Sequence, residues 1–113
     1  MEFENGNVKI KLSDSTLYAV IAGEIDHHSA KSIRDTIDAA MISTSPDALV
    51  MDLSGITFMD SSGLGLVLGR YTKATDSGIA FSLMGAGERC ARMFDLAGLD
   101  RIIDYKTKET KKK

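Results

Sequence analysis

Thr57-Phe58-Met59-Asp60-Ser61-Ser62-Gly63-Leu64-Gly65 is the stretch in which the chain changes its hydrophobic rhythm. Before it, Ala48-Leu49-Val50-Met51-Asp52-Leu53 is apolar at nearly every position, the pattern of a central strand covered on both faces. After it, Leu64, Val67, Leu68 and Tyr71 fall on one helical stripe. An acid and two hydroxyls therefore sit where a strand hands over to a helix. The first turn of a helix has backbone N–H groups without intrahelical partners and carries the positive end of the macrodipole. Asp and Ser cap such groups, and the same geometry seats a phosphate. A serine here can cap, bind an anion or be phosphorylated. Spacing does not choose between the hydroxyls: Ser61 lies on the stripe of Leu64 and Leu68, and Ser62 on the outer face with Leu66, Gly69 and Lys73.

Toward the N-terminus, Val8, Ile10 and Leu12 alternate with lysines as in a half-buried strand, and Ser13-Asp14-Ser15 turns into a second apolar run from Leu17 to Ala22. The chain is thus expected to open with a hairpin. Gly23-Glu24-Ile25-Asp26-His27-His28-Ser29 reads as a loop with helix-start chemistry. Ala30, Ile33, Ile37, Ala40 and Met41 then recur at helical spacing until Pro46 ends the run. Toward the C-terminus, a helix over about 62–76 closes on Ser77-Gly78, a left-handed cap. Ile79 to Met84 reads as a strand and Gly85-Ala86-Gly87 as its turn. A third helix carries Cys90, Met93, Phe94 and Ala97 and closes at Gly98-Leu99, and Arg101 to Tyr105 is a last short strand. This order predicts an α/β fold: a mixed, mostly parallel β-sheet with an opening antiparallel strand, packed against α-helices. Residues 1–105 are the single domain, and 106–113 a mobile lysine-rich tail.

A chain of 113 residues supports one core, and 43% hydrophobic with 27% charged residues is the balance of an ordinary soluble globule. No apolar run approaches the roughly 20 residues that cross a bilayer. Met1-Glu2-Phe3-Glu4 is acidic where a signal peptide is basic, so a cytoplasmic location is expected. Cys90 is alone, which excludes an internal disulfide and a multi-cysteine metal site; its helical stripe predicts a buried small hydrophobe. The net charge of −2 divides unevenly: five lysines and one glutamate give the tail +4, while nine basic and fifteen acidic groups give residues 1–105 a charge of −6. An acidic body argues against direct nucleic-acid binding.

Asp26-His27-His28 lacks the i, i+4 spacing of a helical zinc site and reads as a surface loop near a partner face. Gly63, Gly65 and Gly69 are not followed by Lys-Ser/Thr as a phosphate-gripping loop requires, and no Ser-His-Asp or Cys-His set is evident. No catalytic residue, metal or cofactor is expected. The three glycines instead leave a helix face with little bulk, suited to close docking by another protein, with Leu66 as an apolar anchor. Loops that follow successive parallel strands gather at one sheet edge. The expected docking surface is Glu24, Asp26, His27, Asp60, Ser61, Ser62, Gly63, Leu66 and Gly69.

Phe58 to Gly65, continued by Val67-Leu68-Gly69-Arg70-Tyr71, resembles the signature of bacterial anti-sigma factor antagonists, the STAS-domain family. Gly23 to Ala30 and Arg92 to Leu99 match in the same order, so the resemblance covers roughly residues 8 to 105. The Asp-His-His loop and Gly-Arg-Tyr look most like the sporulation type acting on sigma F. That type continues into an apolar C-terminal helix where this chain has its lysine tail. The resemblance implies a mixed sheet packed against helices and a non-enzymatic switch. The unphosphorylated protein would bind an anti-sigma factor, which releases its sigma factor. The anti-sigma factor would also be a serine kinase that modifies the antagonist, and a PP2C-type phosphatase would reverse this. The modified serine of the family falls on Ser61. The free protein is expected to be a monomer. Two alternatives from other classes are a nucleotide-binding STAS domain and a STAS scaffold module that is never phosphorylated.

Overall fold

The computed structural model describes residues 2–103 and the backbone of residues 105–107. Six strands, β1 (Glu2–Asn5), β2 (Val8–Ser13), β3 (Thr16–Ile25), β4 (Ala48–Met59), β5 (Ala80–Ala86) and β6 (Tyr105–Thr107), lie side by side in chain order. The first two pairings are antiparallel, and β3, β4, β5 and β6 run parallel. Each parallel crossover carries a helix, in order α1 (His27–Thr44), α2 (Ser61–Asp76) and α3 (Glu88–Leu96). This is the expected α/β fold with one addition. The hairpin of β2 and β3 is preceded by β1, whose residues are all exposed. Only Phe3 in Glu2-Phe3-Glu4-Asn5 is apolar, so hydrophobic alternation gave no signal there; pairing with β2 and a 2.9 Å bond from Asn5 Nδ2 to Thr36 Oγ1 on α1 hold the strand.

Burial alternates along the strands. Leu17, Ala19 and Ile21 of β3, Leu49, Met51 and Leu53 of β4, and Leu83 of β5 form the inner face with Ile33, Ile37, Val67 and Phe94 of the helices. Ala48, Val50 and Asp52 on the opposite face are only half-buried, so β4 is central in the sheet but is not covered on both faces. Cys90 is 8% exposed, the buried small hydrophobe its stripe predicts. No helix among the described residues is long and apolar enough to cross a membrane.

The helix ends follow the sequence closely. The chain leaves α1 through Ser45 at φ 45°. It leaves α2 by a Schellman turn: the Gly78 N–H donates to Thr75 O at 3.1 Å and the Ile79 N–H to Ala74 O at 2.8 Å, with Gly78 at φ +75°. Several expected boundaries move. His27, His28 and Ser29, expected in a loop, form the first turn of α1, because the Asp26–Ser29 box caps the helix at Asp26. Gly23, Glu24 and Ile25 extend β3, because the β3–β4 pairing continues to Ile25↔Met59; the strand of Ala48–Leu53 likewise lengthens to Met59. Gly85 and Ala86 belong to β5, not to its turn. The last strand begins only at Tyr105, because Leu99–Arg101 forms a 3₁₀ turn that buries Leu99 and Ile103. It runs to Thr107, beyond the expected domain end at 105; the rest of the tail lies outside the described residues.

Gly85 sits at φ +75°, and a Cβ there would lie 2.8 Å from both Asp52 Oδ1 and Ser54 Cβ and 3.0 Å from the Ser54 N. Left-handed strain of about 1–2 kcal/mol combines with overpacking against backbone. Gly85→Ala is expected to lower the unfolding free energy by about 2–3 kcal/mol, read as a reduced urea midpoint at unchanged slope.

Candidate functional site at the heads of the first two helices

Asp60 caps α2. Its backbone is extended at φ −96°, and its Oδ1 accepts the Ser62 N–H at 2.8 Å. The Asp60 carbonyl accepts the Gly63 N–H at 3.0 Å. Ser61 is the first helical residue and is exposed, whereas Ser62 is half-buried and its N–H is engaged by the cap. The Ser61 hydroxyl thus stands at the positive end of a sixteen-residue helix, open to solvent.

The head of α1 is fixed beside it. Asp60 N–H donates to Ile25 O at 3.2 Å, tying the β4–α2 junction to the β3–α1 junction. Register does the same: Glu24 pairs with Phe58 and Ile25 with Met59. Asp26 caps α1 in a reciprocal box, with Ser29 N–H donating to Asp26 Oδ1 at 3.0 Å and Asp26 N–H to Ser29 Oγ at 2.9 Å. Glu24, Asp26, His27 and Ser61 are all exposed at this sheet edge. Among the described residues no group of His, Cys, Asp and Glu is placed to hold a metal ion.

The Ser29 N–H holds the Asp26 carboxyl below its usual range, against a smaller opposing effect of desolvation and with help from the Ser29 hydroxyl and His28. A depressed carboxylate pKa contributes stability above the unfolded value, 3.8, that is lost as pH falls through the lower folded value. Asn caps as well as Asp does, at any pH. Asp26→Asn is therefore expected to leave the melting temperature at neutral pH nearly unchanged and to flatten its fall below about pH 4, a difference that paired melting curves across pH 2–7 would show.

Two site residues take other places than expected. Leu66 turns inward at 7% exposure and belongs to the core, so it is not an outward anchor. The buried face of α2 is Gly63, Leu66, Val67, Arg70 and Ala74, and Leu64 and Leu68 are half-buried at its flank. Ser61 accordingly lies on the outer face and not on an inner stripe. Gly63 is a packing residue: a Cβ would collide with Met59 Cγ and Sδ beneath it. Gly65 and Gly69 are different, since a Cβ on either meets nothing within 4 Å. They leave α2 bare below Ser61.

Arg70 is a structural element that hydrophobic patterning missed. It is 6% exposed and its Nε lies 3.1 Å from Asp38 Oδ1 on α1. The contact is an ion pair by distance and not an aligned hydrogen bond, because Arg70 Nε, Arg70 Nη1 and Asp38 Oδ1 have no hydrogen-bond partner. Burial pulls the Arg70 pKa down and Asp38 pulls it up. The pair joins the two helices whose heads form the site. A charged residue at i+3 from Val67 and i+4 from Leu66 was the available sign.

The sequence pattern of the STAS domain family matches residues 7–113. An anti-sigma F factor antagonist of Paenibacillus polymyxa is 30% identical over 99 residues, 88% of this chain and 85% of that protein. An anti-sigma-B factor antagonist of Bacillus subtilis strain 168 is 34% identical over 104 residues, 92% of this chain and 94% of that protein. An anti-sigma-B antagonist is thus matched at least as well as an anti-sigma F antagonist, the type that the short motifs resemble. The anti-sigma factor antagonist SpoIIAA in its unphosphorylated form superposes with a TM-score of 0.76 at 27% identity, covering 90% of each chain. Its phosphorylated form superposes with a TM-score of 0.71 at 27% identity, covering 90% of this chain and 93% of the other. The chain belongs to the STAS domain family, and within it to the anti-sigma factor antagonists.

Proposed function

We propose that the unphosphorylated protein docks the heads of α1 and α2 on an anti-sigma factor with serine kinase activity, in the cytoplasm, and so frees a sigma factor. The kinase transfers phosphate to Ser61, which ends the docking, and a PP2C-type phosphatase restores it. The observation that carries this reading is the exposed Ser61 hydroxyl at the head of α2, beside a Ser62 whose N–H is already taken by Asp60. Phosphate adds about −1.5 to −2 charges beside Asp60. The helix N-terminus tolerates that charge in the free, monomeric protein, but a docked partner must desolvate it. A loss of about 4 kcal/mol weakens binding about a thousandfold. No change of shape is needed. Mixing the protein with its anti-sigma factor, with and without ATP, tests the reading: a complex that forms without ATP and dissolves as phosphate is incorporated supports it, and a complex indifferent to phosphate does not.

The bare face below Ser61 gives a separate test. Gly69→Glu places a charged side chain in open space, so the fold is retained and the melting temperature moves by no more than a few degrees. Affinity for the anti-sigma factor is expected to fall at least about tenfold, from bulk and from desolvation of the new carboxylate. Calorimetric titration giving wild-type affinity would remove this face from the interface.

A further inference from the structure

β4 is longer than the strand that flanks it. It spans twelve residues, but pairs with β5 only from Ala48↔Ala80 to Asp52↔Met84. At Gly85, φ +75°, β5 departs, and its next pairing is Ala86 with Thr107 of β6. Residues 54–59 of β4 continue against β3 alone. Along a parallel strand, successive residues direct their N–H and C=O groups to opposite neighbours. The Ser54 N–H is taken by Asp52 Oδ1 at 3.0 Å and Gly85 lies against Ser54, so the open stretch begins after it. About half of the main-chain groups of residues 55–59 face the side that β5 has left, with no strand among the described residues to receive them. An open row of this kind is a template for another strand.

A cleft of about 1050 Å³ runs along that side, between the free edge of β4 and α3. Its walls are apolar, with Ile56 and Phe58 from β4, Leu64 from α2, and Met93 and Leu96 from α3. Phe58 is 49% and Leu96 85% exposed, a large apolar surface left in water on a small domain. The rim on α3 is basic. Arg89 is exposed with no ion-pair partner among the described residues, and Arg92 shares Glu88 only through an exposed 3.6 Å pair that contributes little.

We propose that this cleft takes an extended segment of a partner protein that alternates apolar and acidic residues, added as a strand to the free edge of β4. Main-chain bonds to residues 55–58 would hold the segment, its apolar side chains would fill the wall between Phe58 and Leu96, and its carboxylates would meet Arg89 and Arg92. Lys108-Glu109-Thr110-Lys111-Lys112-Lys113 carries no apolar residue and has the same sign as the rim, so the complementary chemistry is that of another protein. The cleft adjoins Ser61 through Phe58, Met59 and Leu64, but its test needs neither an anti-sigma factor nor phosphate, so it stands or falls apart from the switch.

The probe is a synthetic eight-residue peptide of alternating valine and glutamate, acetylated and amidated at its ends, titrated into the full ¹⁵N-labelled chain. Amide shifts are expected at residues 55–59 and along α3, with slowed amide exchange within residues 55–58. N-methylation of alternate peptide amides, which removes main-chain donors and keeps every side chain, should weaken binding at least tenfold. Arg89→Glu with Arg92→Glu should do the same, and so should Leu96→Asp; all three side chains are exposed, so melting temperature should hold. Equal binding of the N-methylated peptide would show side-chain docking without strand addition and would overturn the proposal. So would shifts confined to other surfaces, or no binding at millimolar peptide.

Discussion

Ser61→Ala is expected to take phosphate incorporation by the cognate anti-sigma kinase to background, while affinity for the unphosphorylated state stays within about twofold of wild type. The asymmetry follows from the cap. Asp60 and not Ser61 accepts the Ser62 N–H, so removing the Ser61 hydroxyl leaves the head of α2 intact. Ser62→Ala should still be phosphorylated at Ser61. Phosphopeptide mapping after incubation with kinase and ATP checks both variants. Modification found on Ser62 in the wild-type chain would contradict the assignment, and so would a Ser61→Ala protein that incorporates phosphate at the wild-type rate.

Arg70→Ala is expected to be strongly destabilising although it lies outside the apolar core. It leaves Asp38 facing the α1–α2 seam without its partner and removes the long aliphatic stem that fills the inner face of α2. Breaking a buried pair costs about 3–5 kcal/mol; the Asp38 side chain is 22% exposed and can reach water, which puts the expected loss nearer about 2–3 kcal/mol. In a chain of this size that lowers the melting temperature by roughly 10 °C. Replacing both partners with apolar residues of similar volume, Arg70→Met with Asp38→Leu, should recover most of the loss, because the desolvation of two charges is then avoided. Denaturant titration of the two single variants and the double variant forms the cycle. A double variant as unstable as Arg70→Ala would mean that the charge pair itself supplies the stability.

Much of this fold could be read from residue order, and the exceptions have specific causes. The stripe of Ile33, Ile37, Ala40 and Met41 located the body of α1 because all of its buried residues but Thr36 are apolar, while the first turn, His27 to Ser29, carries no apolar signal. The inner face of α2 was read one position off because two of its five members, Gly63 and Arg70, carry no hydrophobic signal. Leu66 was turned outward by the same error. Glu2-Phe3-Glu4-Asn5 gave no sign of β1, which is held by pairing with β2 and by Asn5 to Thr36 rather than by burial. The boundary chemistry was more legible than the faces. Asp26, Asp60 and Gly78 mark helix ends through hydrogen bonds that only those local residue types make well. The proposed site was therefore visible as two capped helix heads, while the choice of Ser61 over Ser62 rests on the family resemblance. The cleft beside α3 was invisible in the sequence, because it depends on where β5 leaves β4.

The most direct test of the switch is a pair of titrations of the anti-sigma factor, one with the unphosphorylated protein and one with the protein stoichiometrically phosphorylated at Ser61, in the same buffer and salt. The account predicts a tight complex for the first and an affinity about a thousandfold lower for the second, with both forms showing the same melting transition and the same backbone shifts away from the heads of α1 and α2. Equal affinities would contradict it, and so would a loss of affinity that came with global rearrangement of the sheet.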